Sequence, residues 1–295
     1  MIDRILSPES SFQKRFFFLA KRFVAGETVD DALRAVRALN EQGMSATLDF
    51  LGEDVSERGP ALHTRDIYCE MLEAIQSQGA DTNVSVKLSA LGLLISEEFA
   101  ADNLLSIVER AGANKDPFVR IDMEGSACTA ATLRIFERVF TANANVGVVL
   151  QAYLKRTPAD VERMVELKAR VRLCKGAYKE SAQIAHPAMP TIRREYLRLA
   201  ERLLSAGNYP GIATHDLRLI TAIKEYAARN GIGAGRFEFQ MLYGVRPHVQ
   251  RQLVEDGYRV RIYIPFGTHW AGYFYRRVLE RKENAVFALS SLFSR

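Results

Sequence analysis

Arg276 and Arg277 stand side by side near the end of this 295-residue chain, with Glu280 three and four residues further on. Such a pair is a ready carboxylate clamp, because each guanidinium is a planar fork of donors matched to the geometry of a carboxylate. Glu280 lies one helical turn away and can brace the pair. Tyr263, Phe266, Trp270, Tyr273, Phe274 and Tyr275 precede the clamp and can wall off an apolar space beside it, which suits a small amphoteric ligand with a carboxylate and a hydrocarbon body. Taken alone, an arginine pair equally suits the solvated face of an amphipathic helix. The rest of the chain has to decide between the two.

Short β-branched runs recur between helical patterns at 46–51, 84–88, 118–123, 146–152, 171–174, 211–214, 237–242 and 258–264. Amphipathic stretches such as 101–111, 158–169 and 192–205 fill the gaps, and a helical run from His269 to Asn284 follows the last strand. Eight strands alternating with helices favour a (β/α)8 barrel. A doubly wound sheet is the alternative, but it would carry a glycine-rich turn between strand and helix. The nearest match, Gly231-Ile232-Gly233-Ala234-Gly235, precedes a strand and lacks the final glycine, so it reads as a helix stop and loop. Residues 1–43 read as a helical N-terminal arm broken at Ala25-Gly26-Glu27, and residues 44–295 as the catalytic barrel.

Barrel active sites are built at the C-terminal ends of the strands. Here those ends are polar. Glu53 follows the first run, Lys87 closes the second, Asp122 and Glu124 the third, and Gln151 and Tyr153 the fourth. Arg172 lies within the fifth, which leads into Lys175-Gly176-Ala177-Tyr178. The sixth ends in Thr214-His215-Asp216, the seventh contains Glu238 and Gln240, and Tyr263 lies at the end of the eighth. A charge in a buried strand is costly unless paired, so Lys87, Asp122 and Arg172 are expected to meet one another or a ligand. Lys175 and Gly176 offer a cation and a glycine that lets backbone approach a phosphate. His215 has no second histidine at ligand spacing, and no metal site is expected. Lys87 or Lys175 could serve as a Schiff-base lysine, but Arg172, Gln151, Gln240 and His215 describe a dense hydrogen-bonding site sized for a large cofactor.

Composition is that of an ordinary soluble protein, with 48% hydrophobic residues and a formal charge of +5 from 40 basic and 35 acidic residues. The basic residues are dispersed, which argues against nucleic acid as the main partner. Three cysteines at wide spacing, Cys69, Cys128 and Cys174, point to a reducing compartment without structural zinc. Phe16-Phe17-Phe18-Leu19-Ala20 is too short and too closely flanked by charge for a signal peptide, and no stretch approaches a membrane span.

The segments Val86 to Ala90, Arg120 to Glu124, Gln151-Ala152-Tyr153, Val171 to Tyr178, Ala213-Thr214-His215, Glu238 to Leu242 and Tyr263 to Glu280, in this order, resemble the proline dehydrogenase family over about residues 44–288. The chain looks like the single-function bacterial form, with nothing similar to a fused aldehyde dehydrogenase or DNA-binding part. The resemblance implies FAD bound noncovalently in a distorted barrel whose final helix lies over the mouth. It implies that Lys87, Arg276 and Arg277 hold the carboxylate of L-proline, with Glu280 beside them, while Tyr263 packs on the ring and Asp122 organises the site. Arg172 would meet flavin N5, Gln151 and Gln240 the flavin ring, Lys175, Gly176 and Ala177 the ribityl and phosphate region, and Thr214 and His215 the adenosine half. Glu53 is similar to an acid that gates the site by pairing with a clamp arginine.

The same resemblance implies hydride transfer from the proline ring to the flavin, giving Δ1-pyrroline-5-carboxylate, and onward passage of electrons to a membrane quinone. A cytoplasmic protein in reversible contact with the inner face of the cell membrane follows, with pyrroline-5-carboxylate dehydrogenase as a downstream partner. Related hydroxyproline enzymes have a smaller residue in place of Tyr263, so proline is the expected substrate. Two other classes stay open at this point. They are a Schiff-base lyase or aldolase working through Lys87, and a noncatalytic binding module.

Overall fold

The computed structural model describes residues 20–279, with side chains described up to residue 274. Eight parallel strands close into a barrel in sequence order: β1 (Ser45–Phe50), β2 (Thr82–Val86), β3 (Val119–Ile121), β4 (Val146–Gln151), β5 (Val171–Cys174), β6 (Gly211–Ala213), β7 (Glu238–Leu242) and β8 (Arg259–Phe266). Helix α1 (Val29–Asn40) precedes the first strand. Each gap between strands holds a helix: α2 (Arg58–Gln78), α3 (Glu97–Ala111), α4 (Ser126–Ala142), α5 (Thr157–Glu166), α6 (Met189–Ala206), α7 (Leu217–Arg229) and α8 (Pro247–Glu255). Helix α9 (Trp270–Leu279) follows β8. The eight expected runs are these eight strands. Strand ends shift by at most two residues, as in β2, β3 and β8, and β8 continues through Pro265 and Phe266 because β1 stays in register with it as far as Phe50. Residues 231–235 fall in the expected turn, which leads through one 3-10 turn (Ala234–Arg236) into β7.

Side chains on a strand alternate between its faces, and in these strands the alternation separates two chemistries. Ala46, Leu48, Val84, Val86, Val119, Ile121, Phe237, Phe239, Val260, Ile262 and Ile264 belong to one continuous buried apolar core. The residues between them are polar: Thr47 and Asp49, Asn83, Ser85 and Lys87, Arg120 and Asp122, Glu238 and Gln240, Arg261 and Tyr263. These face the barrel interior, as bonds between non-adjacent strands show. Arg172 Nη1 on β5 donates to Ser85 Oγ on β2 at 3.2 Å, and the Tyr263 hydroxyl on β8 donates to Asp122 after β3 at 2.7 Å. A barrel interior is ordinarily filled by branched apolar residues. This one carries neutral polar groups and charges, among them the pairs Lys87–Asp49, Arg172–Asp122 and Arg261–Glu238.

Helix α1 starts at a capping box in which the Thr28 hydroxyl accepts from Asp31 N and the Asp31 carboxylate accepts from Thr28 N, an arrangement worth about 1 kcal/mol. Its Ala32, Leu33, Val36 and Leu39 are buried in the same core as the strands. The segment before it, residues 20–26, straps the far end of β8. Ala25 N donates to Pro265 O at 3.0 Å and Gly267 N to Gly26 O at 2.9 Å. Ala20 and Val24 pack with Leu51, Trp270, Ala271 and Tyr273, fixing the first turn of α9 beside the end of β1.

Candidate active site

Asp122 is the hub of the barrel mouth. Its backbone N–H continues the ladder to Val86 O at 2.9 Å, which aims the side chain inward just past β3. There Oδ1 accepts from Arg172 Nη1 at 2.7 Å and from Ser85 Oγ at 2.7 Å, while Oδ2 accepts from the Tyr263 hydroxyl at 2.7 Å. The Arg172 guanidinium also lies over the Tyr263 ring, 5.2 Å from its centroid, so the phenol is held by its hydroxyl and by its face. Burial, with the Asp122 and Asp49 carboxylates adding to it, drives the Tyr263 phenol well above its ordinary pKa, so it remains a donor.

Lys87, the first residue beyond β2, does not touch Asp122. Its ammonium donates to both oxygens of Asp49 on β1, each at 2.7 Å. Burial alone would lower its pKa, but the carboxylates of Asp49 and Asp122 outweigh that effect and leave it above the ordinary lysine value. Burial pushes the Asp49 carboxyl in the opposite direction, upward, with Lys87 pulling it back. A charged lysine that donates to a carboxylate is not the free amine a Schiff base requires. Asp49 lies within β1 rather than at its end and was not among the expected site residues. The signal for it was present, since it follows Thr47 on the polar face of an alternating strand.

Glu124 turns beside this pair and accepts from Ser89 N at 3.0 Å and from the Ser89 hydroxyl. Burial raises its carboxyl above the ordinary glutamate value, and the Ser89 bonds hold it back. Gln151 at the end of β4 donates to Glu124 O at 2.9 Å. Glu53 is half-buried on the loop after β1, close enough for its charge to raise Lys87. Gln240 accepts from Arg172 Nε and donates to Glu238 at 2.6 Å.

A second cationic group stands after β5 and β6. Asp216 accepts from Lys175 Nζ at 2.6 Å and from Arg193 Nε, on α6, at 2.7 Å. Burial would raise the Asp216 carboxyl, but the two cations together hold it well below the ordinary aspartate range. Arg193 is another residue not singled out beforehand, because a helix-borne arginine carries no local sign that it returns to a strand end. Thr214 Oγ1 accepts from Asp216 N at 3.1 Å, and His215 Nε2 accepts from Leu242 N at 2.9 Å, so His215 is tied to the rim of β7. Gly176 has φ +116°, and a Cβ there would lie 2.1 Å from the Tyr153 ring, so glycine alone lets this backbone run against Tyr153; Ala177 beside it is exposed. Arg276 and Arg277 lie on α9, with side chains outside those described, and Glu280 lies outside the described residues altogether.

A closed parallel barrel with ionised side chains converging at the C-terminal ends of its strands defines a (β/α)8-barrel enzyme. Comparison with known proteins gives the family. The model of the family described as Proline dehydrogenase matches residues 32–289. "Proline dehydrogenase 1" of Bacillus subtilis subsp. natto is 41% identical over 273 residues, covering 92% of this chain and 90% of its own. "Proline dehydrogenase" of Deinococcus radiodurans is 38% identical over 290 residues, covering 96% and 93%. The chain belongs to the proline dehydrogenase family and is an oxidoreductase. Among solved structures, proline utilization A (PutA) from Bdellovibrio bacteriovorus inactivated by N-propargylglycine superposes with a TM-score of 0.84 at 27% identity over 92% of this chain. This chain spans 33% of that PutA chain's length.

Proposed function

We propose that this enzyme oxidises L-proline to Δ1-pyrroline-5-carboxylate, with FAD as hydride acceptor and a membrane quinone taking the electrons onward. The observation that carries the reading is the mouth itself. Lys87, held charged, stands in the same buried cluster as Asp122, Arg172 and Tyr263 in a barrel of this family. Lys87, Arg276 and Arg277 fix the proline carboxylate, which sets the register of the ring. Tyr263, locked by Asp122 and Arg172, sets its face. The cations around the bound amine lower its pKa, so the ring nitrogen is neutral when the hydride leaves. Glu280 braces the clamp, and Glu53 is assigned the gate.

The residues present suit FAD. Lys175 and Arg193 bracket one carboxylate with two cations, a charge balance that favours a diphosphate, and the Gly176-Ala177 backbone beside them takes the ribityl side. Thr214 and His215 serve the adenosine half, Gln151 the ring, and Arg172 the electron-rich edge of the ring. When bound, FAD supplies a two-electron acceptor for the ring hydride. Residues 1–43 are assigned to an arm and 44–295 to the catalytic barrel. No helix among the described residues is long and apolar enough to cross a membrane. A cytoplasmic location with peripheral contact at the membrane is part of the proposal.

The test is a visible spectrum before and after anaerobic L-proline. Flavin bands that bleach support cofactor, substrate and transfer together. Bands that persist refute proline and bring hydroxyproline next, and a colourless protein that cannot be reconstituted with FAD refutes the flavin. N-Propargylglycine, named with the Bdellovibrio relative, should abolish bleaching, and protein that still bleaches after treatment would separate the two chemistries.

A further inference from the structure

Resting on the reading of this chain as an FAD-dependent proline oxidiser, we infer that Gly211 and Glu238 are positioning residues that fix which end of the Gln240 amide meets Arg172, and through it the direction in which that guanidinium presents its charge.

The argument begins with an ambiguity. A glutamine amide has a donor end and an acceptor end of almost the same shape, so its orientation is set by what each end meets. At Gln240 both ends meet a charge. Nε2 donates to Glu238 Oε1 at 2.6 Å, and Oε1 accepts from Arg172 Nε. Glu238 can only accept and Arg172 can only donate, so the opposite orientation would set donor against donor and acceptor against acceptor. Glu238 is itself fixed by Arg261 Nε at 2.8 Å and by the Tyr209 hydroxyl at 3.2 Å, and Arg261 is tied to Ala46 O at 2.7 Å. Glu238, Gln240, Arg172 and Arg261 are all buried. The orientation chosen low in the barrel is therefore passed up to the mouth, where the far side of the same guanidinium donates to Asp122 at 2.7 Å.

Gly211 makes the contact possible. Arg172 is on β5 and Gln240 on β7, with β6 between them. Gly211 is the β6 residue in register with both Arg172 and Glu238. A Cβ at Gly211 would lie 2.4 Å from Gln240 Nε2 and 2.8 Å from its Cδ, closer than packed atoms approach. The missing side chain leaves the space in which an amide crosses the face of one strand to reach the arginine on the next. Neither Gly211 nor Glu238 is assigned a contact with substrate or cofactor, and Gly211 carries no charge, so an effect of Gly211 on the flavin passes through Gln240 and Arg172.

The experiment uses the purified holoenzyme with Gly211→Ala and, separately, Glu238→Gln. Gly211→Ala displaces the amide without changing charge, and Glu238→Gln removes the obligate acceptor and lets the amide turn. Three quantities are read: bound FAD per chain with thermal midpoint, the rate of flavin bleaching at saturating L-proline, and the midpoint potential of the bound flavin. A displaced guanidinium should slow bleaching about 10- to 100-fold with the proline KM little changed. In Gly211→Ala, where no charge is lost, the potential should move to more negative values, because the positive charge no longer faces the ring. A folded, FAD-loaded variant with wild-type rate and potential overturns the inference. Loss of fold or FAD in both variants also overturns it, showing a structural role only. Wild-type protein that holds FAD but is not bleached by proline removes the substrate reading alone, and the potentials then still decide the inference. Wild-type protein that takes no FAD removes both.

Discussion

Replacing Asp49 with asparagine tests the central electrostatic claim about the mouth. The Lys87 ammonium and the Asp49 carboxylate share two 2.7 Å contacts, with side chains only 11% and 1% exposed. Removing one member of a buried pair strands the other, a loss of about 3–5 kcal/mol. At about 2–4 °C per kcal/mol for a domain of this size, Asp49→Asn should melt roughly 6–20 °C below wild type. The pH dependence has a definite sign. The folded-state pKa of Lys87 is raised, so its contribution is fully present below the ordinary lysine value of 10.5 and is lost as pH rises through the folded value above it. In Asp49→Asn, burial is opposed mainly by Asp122, so that alkaline loss should move to lower pH. The assay is a double-mutant cycle of thermal melts with Lys87→Met. The double variant leaves no stranded charge, so it should be more stable than the sum of the single losses implies, with a coupling of about 2 kcal/mol or more. Single losses that add to the double's loss within about 0.5 kcal/mol would refute the pair as an energetic unit.

Arg276→Met and Arg277→Met should each raise the proline KM strongly while FAD per chain stays unchanged; loss of flavin in either would show that the clamp touches cofactor instead of substrate. Glu124 has a raised folded-state pKa, so wild-type protein loses stability as pH rises from the ordinary glutamate value of 4.5 through that raised value. Glu124→Gln should lack this decline, and parallel stability profiles for the two proteins would contradict the assigned burial. Asp216 is shifted the other way, so its contribution is present above the ordinary aspartate value of 3.8 and fades as pH falls toward the depressed one. Asp216→Asn should therefore be less stable than wild type at neutral pH, with the gap narrowing in acid-unfolding curves below about pH 3.8; a gap that widens in acid would exclude the ion pairs.

Much of the architecture could be read in advance because it rests on local chemistry. Eight short β-branched runs at helix-length intervals specify strands and crossovers whatever surrounds them, and helix α1 signals its own start through Thr28 and Asp31. The candidate residues were also legible as types, because a charge within an apolar run stands out at Lys87, Asp122, Arg172 and Glu238. Partners were not legible. Lys87 and Asp122 are drawn together by chemistry, but barrel closure gives Lys87 to Asp49 on the neighbouring strand and gives Asp122 to Arg172 and Tyr263 across the interior. Arg193 joins Asp216 only because α6 folds back along the barrel.

By itself the sequence determined the class of fold, the order of its elements, the faces of its strands and the kinds of group available to a site. All of these depend on spacing along the chain. Tertiary structure decided which charges neutralise one another, which amide end faces Arg172 and which glycine leaves room for that contact. Those outcomes depend on distances across a closed barrel between residues from 23 to over 200 positions apart, and no local pattern encodes such distances.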